Sequence, residues 1–318
     1  MPPRLVLPTA RLLTLDAFST IYSPRPPVPD QYSQIYAQHF PTHEPIPPQL
    51  LSISFRKAFK ARAQSHPNYL GGEKEWWTDV IRTTFTIAAA DAFTASSAEQ
   101  VSGLAREVFV NDLYEHFNSA RAYMLMPDVT DFLDSIHRVP TRVGILSNSD
   151  SRCRSVLRGL GVLASEETTA GLEPGAGDLD GRRGHAWITR DQDVVLSSEV
   201  GVEKPDARIF EAALANILGD SGYTEPESPE DDPLAVANSV WYWHVGDDLQ
   251  KDVLPIVDAS NSLKLRCWGA VYLKRQGDDC VSNPGGEVRL THGGRVIEAT
   301  DLRDIIGLWT DGVEVVVE

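Results

Sequence analysis

Four polar segments of this 318-residue chain follow or flank short apolar runs and carry the residue types of an acid-based active site. They are Asp16-Ala17-Phe18-Ser19-Thr20, Ser147-Asn148-Ser149, Glu203-Lys204-Pro205, and Gly246-Asp247-Asp248 with Asp252 beyond. Any one alone reads as a turn, because aspartate and serine close strand ends through local hydrogen bonds. All four in order, at the ends of successive strands, read as one crevice. Asp16 is a candidate nucleophile, since a carboxylate can attack phosphorus and split one displacement into two easier steps. Asp16, Asp247 and Asp248 offer the hard oxygen ligands that Mg²⁺ prefers. Ser147 can donate a hydrogen bond to a substrate oxygen, with backbone amides beside it. Lys204 offsets the charge on Asp16 and on the transferring group.

The elements that must position these residues follow from apolar patterning. Arg11–Leu15, Arg142–Leu146, Val194–Leu196, Val240–Val245 and Leu263–Leu273 read as buried strands. Helices are expected over Val129–His137, around Arg154–Leu157 and over Arg208–Leu218, the last opened by Pro205. Strands alternating with helices predict an α/β fold with a central, mostly parallel sheet. Residues 22–48 are proline-rich and exclude long uninterrupted helices, whereas residues 49–117 carry helical periodicity. A crossover between the first two strands needs far fewer residues than lie here. Residues 24–125 are therefore expected to form a helical cap subdomain, with 1–23 and 126–318 as the α/β core. Residues 164–189 and 219–233 read as exposed insertions, the second with six acids, three prolines and no base.

Charge narrows the partners. The formal net charge is −16, of which −14 lies on residues 151–318. That balance argues against nucleic acid and against anionic membrane surfaces, and reads as a solubilising surface or as acids that converge on a divalent metal. The partner expected from the motifs is a small-molecule substrate. No apolar run approaches the ~18 residues of a membrane helix. Met1–Ala10 holds three prolines and no apolar core, so no secretory signal is expected. Three widely spaced cysteines without a CxxC pair fit an intracellular protein, cytoplasmic or nuclear.

The ordered set resembles the haloacid dehalogenase (HAD) superfamily over nearly the whole chain. Asp16 with Thr20 matches its first motif, Ser147-Asn148 its second, Lys204-Pro205 its lysine motif, and Asp247 with Asp252 its acidic motif. His66-Pro67-Asn68-Tyr69 and Glu75–Phe85 resemble more narrowly the cap of haloacid dehalogenase-like hydrolase domain-containing protein 3 and its fungal relatives. The resemblance implies a Rossmann-like core of five parallel strands, with the Asp16 strand central and the helical cap inserted after it. It also implies an Mg²⁺-dependent hydrolase of phosphate esters, with Asp16, Thr20, Ser147, Asn148 and Lys204 as catalytic residues. The metal would lie on Asp16, Asp247, Asp248 and the backbone carbonyl of Phe18, with Asp252 in support. One departure stands out: phosphatases of this superfamily carry a general acid two residues after the nucleophile, where this chain has Phe18. An aromatic residue there is similar to the metal-independent 2-haloacid dehalogenases. The missing acid leaves two alternatives to the phosphatase reading: a HAD-fold protein that binds metal and ligand with little turnover, and a dehalogenase-like hydrolase.

Other conspicuous residues have plainer readings. Adjacent Trp76 and Trp77 cannot share a helix face, so one belongs to the core and the other covers it. Arg56, Lys57, Lys60 and Arg62 read as a solvated helix face. His244, inside a strand, reads as a satisfied core histidine. Nothing near Cys153 would activate a thiolate.

Overall fold

The computed structural model describes residues 10–92, 103–165, 186–218, 240–256, 259, 267–275, 288–289 and 294–310. Among the described residues there are nine strands. They are β1 (Ala10–Leu15), β2 (Tyr22–Pro24), β3 (Tyr123–Leu125), β4 (Thr141–Ser147), β5 (Val194–Leu196), β6 (Val240–Gly246), β7 (Cys267–Leu273), β8 (Val288–Arg289) and β9 (Gly294–Ala299). Seven of them make one sheet in the order β5-β4-β1-β6-β7-β9-β8, while β2 and β3 pair separately. Six strands run parallel, and β8 closes the edge antiparallel to β9. The sheet is thus wider than the five parallel strands implied by the resemblance. The addition is β9, whose charged residues break the apolar run that marks the inner strands.

The chain divides into two compact units. The first comprises residues 1–22, 125–148 and 161–318 and contains the large sheet. Inner strands are buried on both faces, as parallel strands covered by helices must be. Leu12, Leu13 and Leu15 of β1, Ile145 and Leu146 of β4, and Tyr242, Trp243 and Val245 of β6 are all buried. Helix Ala207–Leu218 packs Ile209, Phe210, Ala213 and Ile217 into that core. Gly144 on β4 is obligatory there, since a Cβ would stand 2.6 Å from the Asp193 carbonyl and 2.7 Å from the Ile217 methyl. Trp241, Trp243 and Trp309 form an aromatic triangle with ring centroids 5.6–5.8 Å apart.

The second unit comprises residues 23–124 and 149–160. Its helices are Val28–His39, Pro48–Ser65, Glu73–Ala92, Gly103–Phe117 and Arg152–Gly159. The first lies inside the proline-rich stretch, because Pro27 and Pro29 sit at its start, where their missing N–H groups cost nothing, and Pro41 follows its end. Tyr32, Tyr36, Phe85, Phe109 and Phe117 fill the interior with edge-on and stacked rings. Trp76 is buried and donates to the His66 carbonyl at 2.7 Å, whereas half-buried Trp77 donates to Asp150 and lies under the Arg152 guanidinium. Arg56, Lys57 and Lys60 are exposed. Arg62 pairs with Asp79 at 3.2 Å.

Of the two expected insertions, residues 166–185 and all of 219–233 lie outside the described residues. The described ends of the first are tied together, Ala164 donating its amide to the Ile188 carbonyl at 2.8 Å. Among the described residues no helix is long and apolar enough to cross a membrane.

Candidate active site

The site grows from the register of three adjacent parallel strands. Leu15 of β1 pairs with Ile145 of β4 on one side and Val245 of β6 on the other. The three chains therefore leave the sheet together at its carboxyl edge, where open α/β sheets bind ligands. Asp16, Ser147 and Asp247 are the residues at that exit. The Asp16 amide donates to the Val245 carbonyl at 2.8 Å, which fixes the start of the loop.

Lys204 is the hub. Its buried Nζ donates to Asp16 Oδ1 at 2.7 Å, to Asp252 Oδ1 at 2.5 Å and to the Leu146 carbonyl at 3.1 Å. All three ammonium donors are thereby used. Asn148 holds the lysine's backbone from both sides: its Nδ2 donates to the Lys204 carbonyl at 2.8 Å, and its Oδ1 accepts from the Lys204 amide at 2.7 Å. Ser147, at the end of β4, is buried beside it.

Asp252 enters from the π-helical turn Leu249–Val253. Its second oxygen accepts from the Asp248 amide at 3.0 Å. The carboxylate sits directly on Gly246, where a Cβ would fall 2.2 Å from Asp252 Cγ, so only glycine allows this approach. Behind it, His244 Nε2 lies 3.2 Å from Asp252 Oδ1, and His244 Nδ1 lies 2.8 Å from Thr14 Oγ1. His244 is a satisfied core histidine, as its position in a strand suggests, but its partner is a site carboxylate. The side chain of Asp248 turns away and caps the π-turn, accepting from the amides of Gln250 and Lys251 at 2.9 and 3.1 Å. The acidic trio is instead Asp16, Asp247 and Asp252, each offering one oxygen within 4.8 Å of the others.

Three carboxylates against one lysine leave the cluster short of positive charge. Burial raises the pKa of Asp16, with Lys204 opposing and Asp252 adding to the rise. Burial, together with the charges of Asp16 and Asp252, pushes Asp247 up to about 7. Burial also works against the charged form of Asp252, yet Lys204 and His244 outweigh it and hold that carboxyl well below its usual range. Lys204 is likewise held protonated, the two aspartates overcoming its desolvation. Burial pushes His244 down, with Asp252 opposing. Hard oxygen donors, converging and lacking compensating charge, fit a divalent cation such as Mg²⁺.

The loop after Asp16 is tightly wound. The Ser19 amide donates to the Tyr22 carbonyl, and the Ile21 and Tyr22 amides donate to Ala17. Ser19 takes φ = 61°, a left-handed conformation that costs a non-glycine residue about 1–2 kcal/mol. Phe18 is 46% exposed and packs edge-on to Tyr22, so its side chain supplies no proton donor. Thr20 is fully buried, and its Oγ1 has no hydrogen-bond partner among the described residues. Sequence reasoning missed Arg275, which follows β7 and binds this loop from outside. Its Nε donates to the Ser19 carbonyl at 2.9 Å and its Nη2 to the Thr20 carbonyl at 2.7 Å. An arginine just past a strand at the same sheet edge was its only signal.

No family model matches the chain. Haloacid dehalogenase-like hydrolase domain-containing protein 3 of Xenopus tropicalis is 30% identical over 146 residues, covering 45% of this chain and 70% of that protein. An uncharacterized hydrolase of Schizosaccharomyces pombe is 28% identical over 269 residues, covering 82% of this chain and 90% of its own length. Among solved structures, a haloacid dehalogenase-like family hydrolase from Xanthomonas campestris aligns over 96% of this chain and 94% of that one, with a TM-score of 0.48 and 12% identity.

Proposed function

This chain belongs to the haloacid dehalogenase-like hydrolases, and on that premise we propose that it is a Mg²⁺-dependent hydrolase of phosphate esters using Asp16 as nucleophile. The observation that carries this reading is the buried cluster of Asp16, Asp247 and Asp252 around Lys204. In the first step the Asp16 carboxylate attacks phosphorus while the ester oxygen leaves with its electron pair, forming an acyl phosphate. Water then attacks that phosphorus, releasing phosphate and regenerating Asp16. Lys204 opposes the effect of burial on Asp16 and offsets charge on the phosphoryl group. Ser147, and Thr20 with its unpartnered hydroxyl, supply hydrogen bonds at the same sheet edge. Asp16, Asp247 and Asp252 would hold the metal, with the Phe18 carbonyl beside them, and Asp248 shapes the turn. When bound, Mg²⁺ would neutralise the carboxylates and the phosphoryl oxygens.

Phe18 sets the substrate class. Without an acid at that position the leaving group departs unprotonated, which disfavours alkyl phosphates by about 10²–10⁴-fold. Aryl phosphates and acyl phosphates need no such proton. The helical unit of residues 23–124 is, on this reading, the cap that selects the substrate. A second reading, attack of Asp16 on a halogen-bearing carbon without metal, is favoured by Phe18 alone and opposed by the carboxylate trio.

The test is hydrolysis of an aryl phosphate with and without Mg²⁺, comparing wild type with Asp16→Asn, beside halide release from a 2-haloacid. Mg²⁺-dependent phosphate release that Asp16→Asn abolishes is the expected result. Equal inactivity of both proteins on phosphates would end the phosphatase reading, and halide release would establish the second.

A further inference from the structure

We propose that Arg275 is a positioning residue for the nucleophile loop, fixing through the carbonyls of Ser19 and Thr20 how Asp16 is presented to the crevice. This rests on the hydrolase reading for its catalytic consequence, but not for its structural one. The guanidinium spends its donors in two directions. Nε and Nη2 form a planar fork onto two successive peptide carbonyls, at 2.9 and 2.7 Å. Nη1 donates to Asp128 Oδ2 at 2.8 Å. That same oxygen accepts from the Leu302 amide at 2.7 Å, so the anchor is itself anchored. The arrangement is largely desolvated, with 15% of the Arg275 side chain and 1% of Asp128 exposed.

The loop needs such a hold. Inside the loop the Ser19 amide bonds the Tyr22 carbonyl, and the Ile21 and Tyr22 amides bond the Ala17 carbonyl. The carbonyls of Ser19 and Thr20 are instead held from 255 and more residues away. Ser19 keeps its left-handed φ only while surrounding bonds over-determine it. Relaxing Ser19 would redirect the peptides on either side, including the Phe18 carbonyl, and loosen Asp16 against Lys204. Lysine cannot replace this function, because a single ammonium carries charge but no planar fork.

The full-length protein and its Arg275→Lys and Arg275→Ala variants test this by two readouts. In Arg275→Lys, amides of segment 16–22 should exchange with deuterium at least about tenfold faster, while those of β4 and β6 remain at the wild-type rate. Its kcat on an aryl phosphate with Mg²⁺ should fall about ten- to hundredfold with KM within about twofold, as expected for a nucleophile held slightly out of place. Methylguanidinium should restore part of the kcat of Arg275→Ala. Wild-type exchange and wild-type kcat in Arg275→Lys would overturn the proposal. So would faster exchange spread evenly through the sheet, with no rescue, since that marks a purely structural residue. Should the wild-type protein hydrolyse no aryl phosphate, the hydrolase reading fails, and the exchange pattern alone decides the role of Arg275 in the loop.

Discussion

Lys204→Met is the most informative single change, because it removes one charge from a cluster that has too few. The side chain keeps its length and apolar stem but loses three hydrogen bonds, two of them to buried carboxylates at 2.7 and 2.5 Å. Removing one partner from a buried ion pair strands the other, at a cost of about 3–5 kcal/mol. Against a typical total stability of about 5–15 kcal/mol this is a large fraction. The loss should depend on pH in a defined direction. In the wild type, Lys204 and His244 outweigh burial and hold the Asp252 carboxyl below its usual range. That stabilisation is present above the unfolded carboxylate pKa and is lost as pH falls through the lower folded value. In the variant, burial without the lysine raises both Asp16 and Asp252, so each destabilises the fold as pH rises past its unfolded pKa. The deficit between wild type and variant should therefore be largest near pH 8, at about 3 kcal/mol or more, and shrink toward pH 5. Urea denaturation of both proteins at the two pH values, without divalent metal, measures it. Millimolar Mg²⁺ should narrow the gap at pH 8, because a cation held by the carboxylates supplies the missing charge. A deficit below about 1 kcal/mol at pH 8, or one equal at both pH values, would refute the electrostatic account of this cluster.

Three further outcomes are expected. Mg²⁺ binding should be lost in Asp247→Asn and, in the wild type, should weaken about tenfold per pH unit below about 7, because burial has raised the Asp247 carboxyl and its proton must leave; pH-independent affinity by calorimetry would contradict this. Gly246→Ala should cost about 1–3 kcal/mol in urea, since the new methyl collides with Asp252 at 2.2 Å; a change within about 0.5 kcal/mol would show that the carboxylate moves aside freely. Phe18→Asp should raise hydrolysis of alkyl phosphates by about one to two orders of magnitude and leave aryl phosphates nearly unchanged, as leaving-group assays would show; equal effects on both classes would remove general acid catalysis as the explanation.

The amino-acid sequence alone determined the strands that carry the site and the order in which they carry it. Leu12–Leu15, Val143–Leu146 and Tyr242–Val245 are mainly apolar runs, interrupted by Thr14, Gly144 and His244, and a strand covered on both faces of a parallel sheet is written in adjacent residues. The helices of residues 49–117 were equally legible, since their periodicity is local. The prolines of residues 22–48 leave room for one 12-residue helix, which starts at Pro27 and Pro29, and where such a helix begins and ends is not legible from proline positions alone. What the sequence left open was the direction of side chains. Asp247, Asp248 and Asp252 are all plausible ligands on paper. The π-turn aims Asp252 at Lys204 and makes Asp248 its cap. The wider sheet, the His244–Asp252 contact and the Arg275 fork were likewise invisible, for the same physical reason. Periodicity and turn chemistry are set by neighbours a few residues apart, whereas a carboxylate or guanidinium is oriented by atoms brought from far along the chain. Lys204 meets Asp16 across 188 residues of sequence and Arg275 meets Ser19 across 256, separations that only the folded sheet closes.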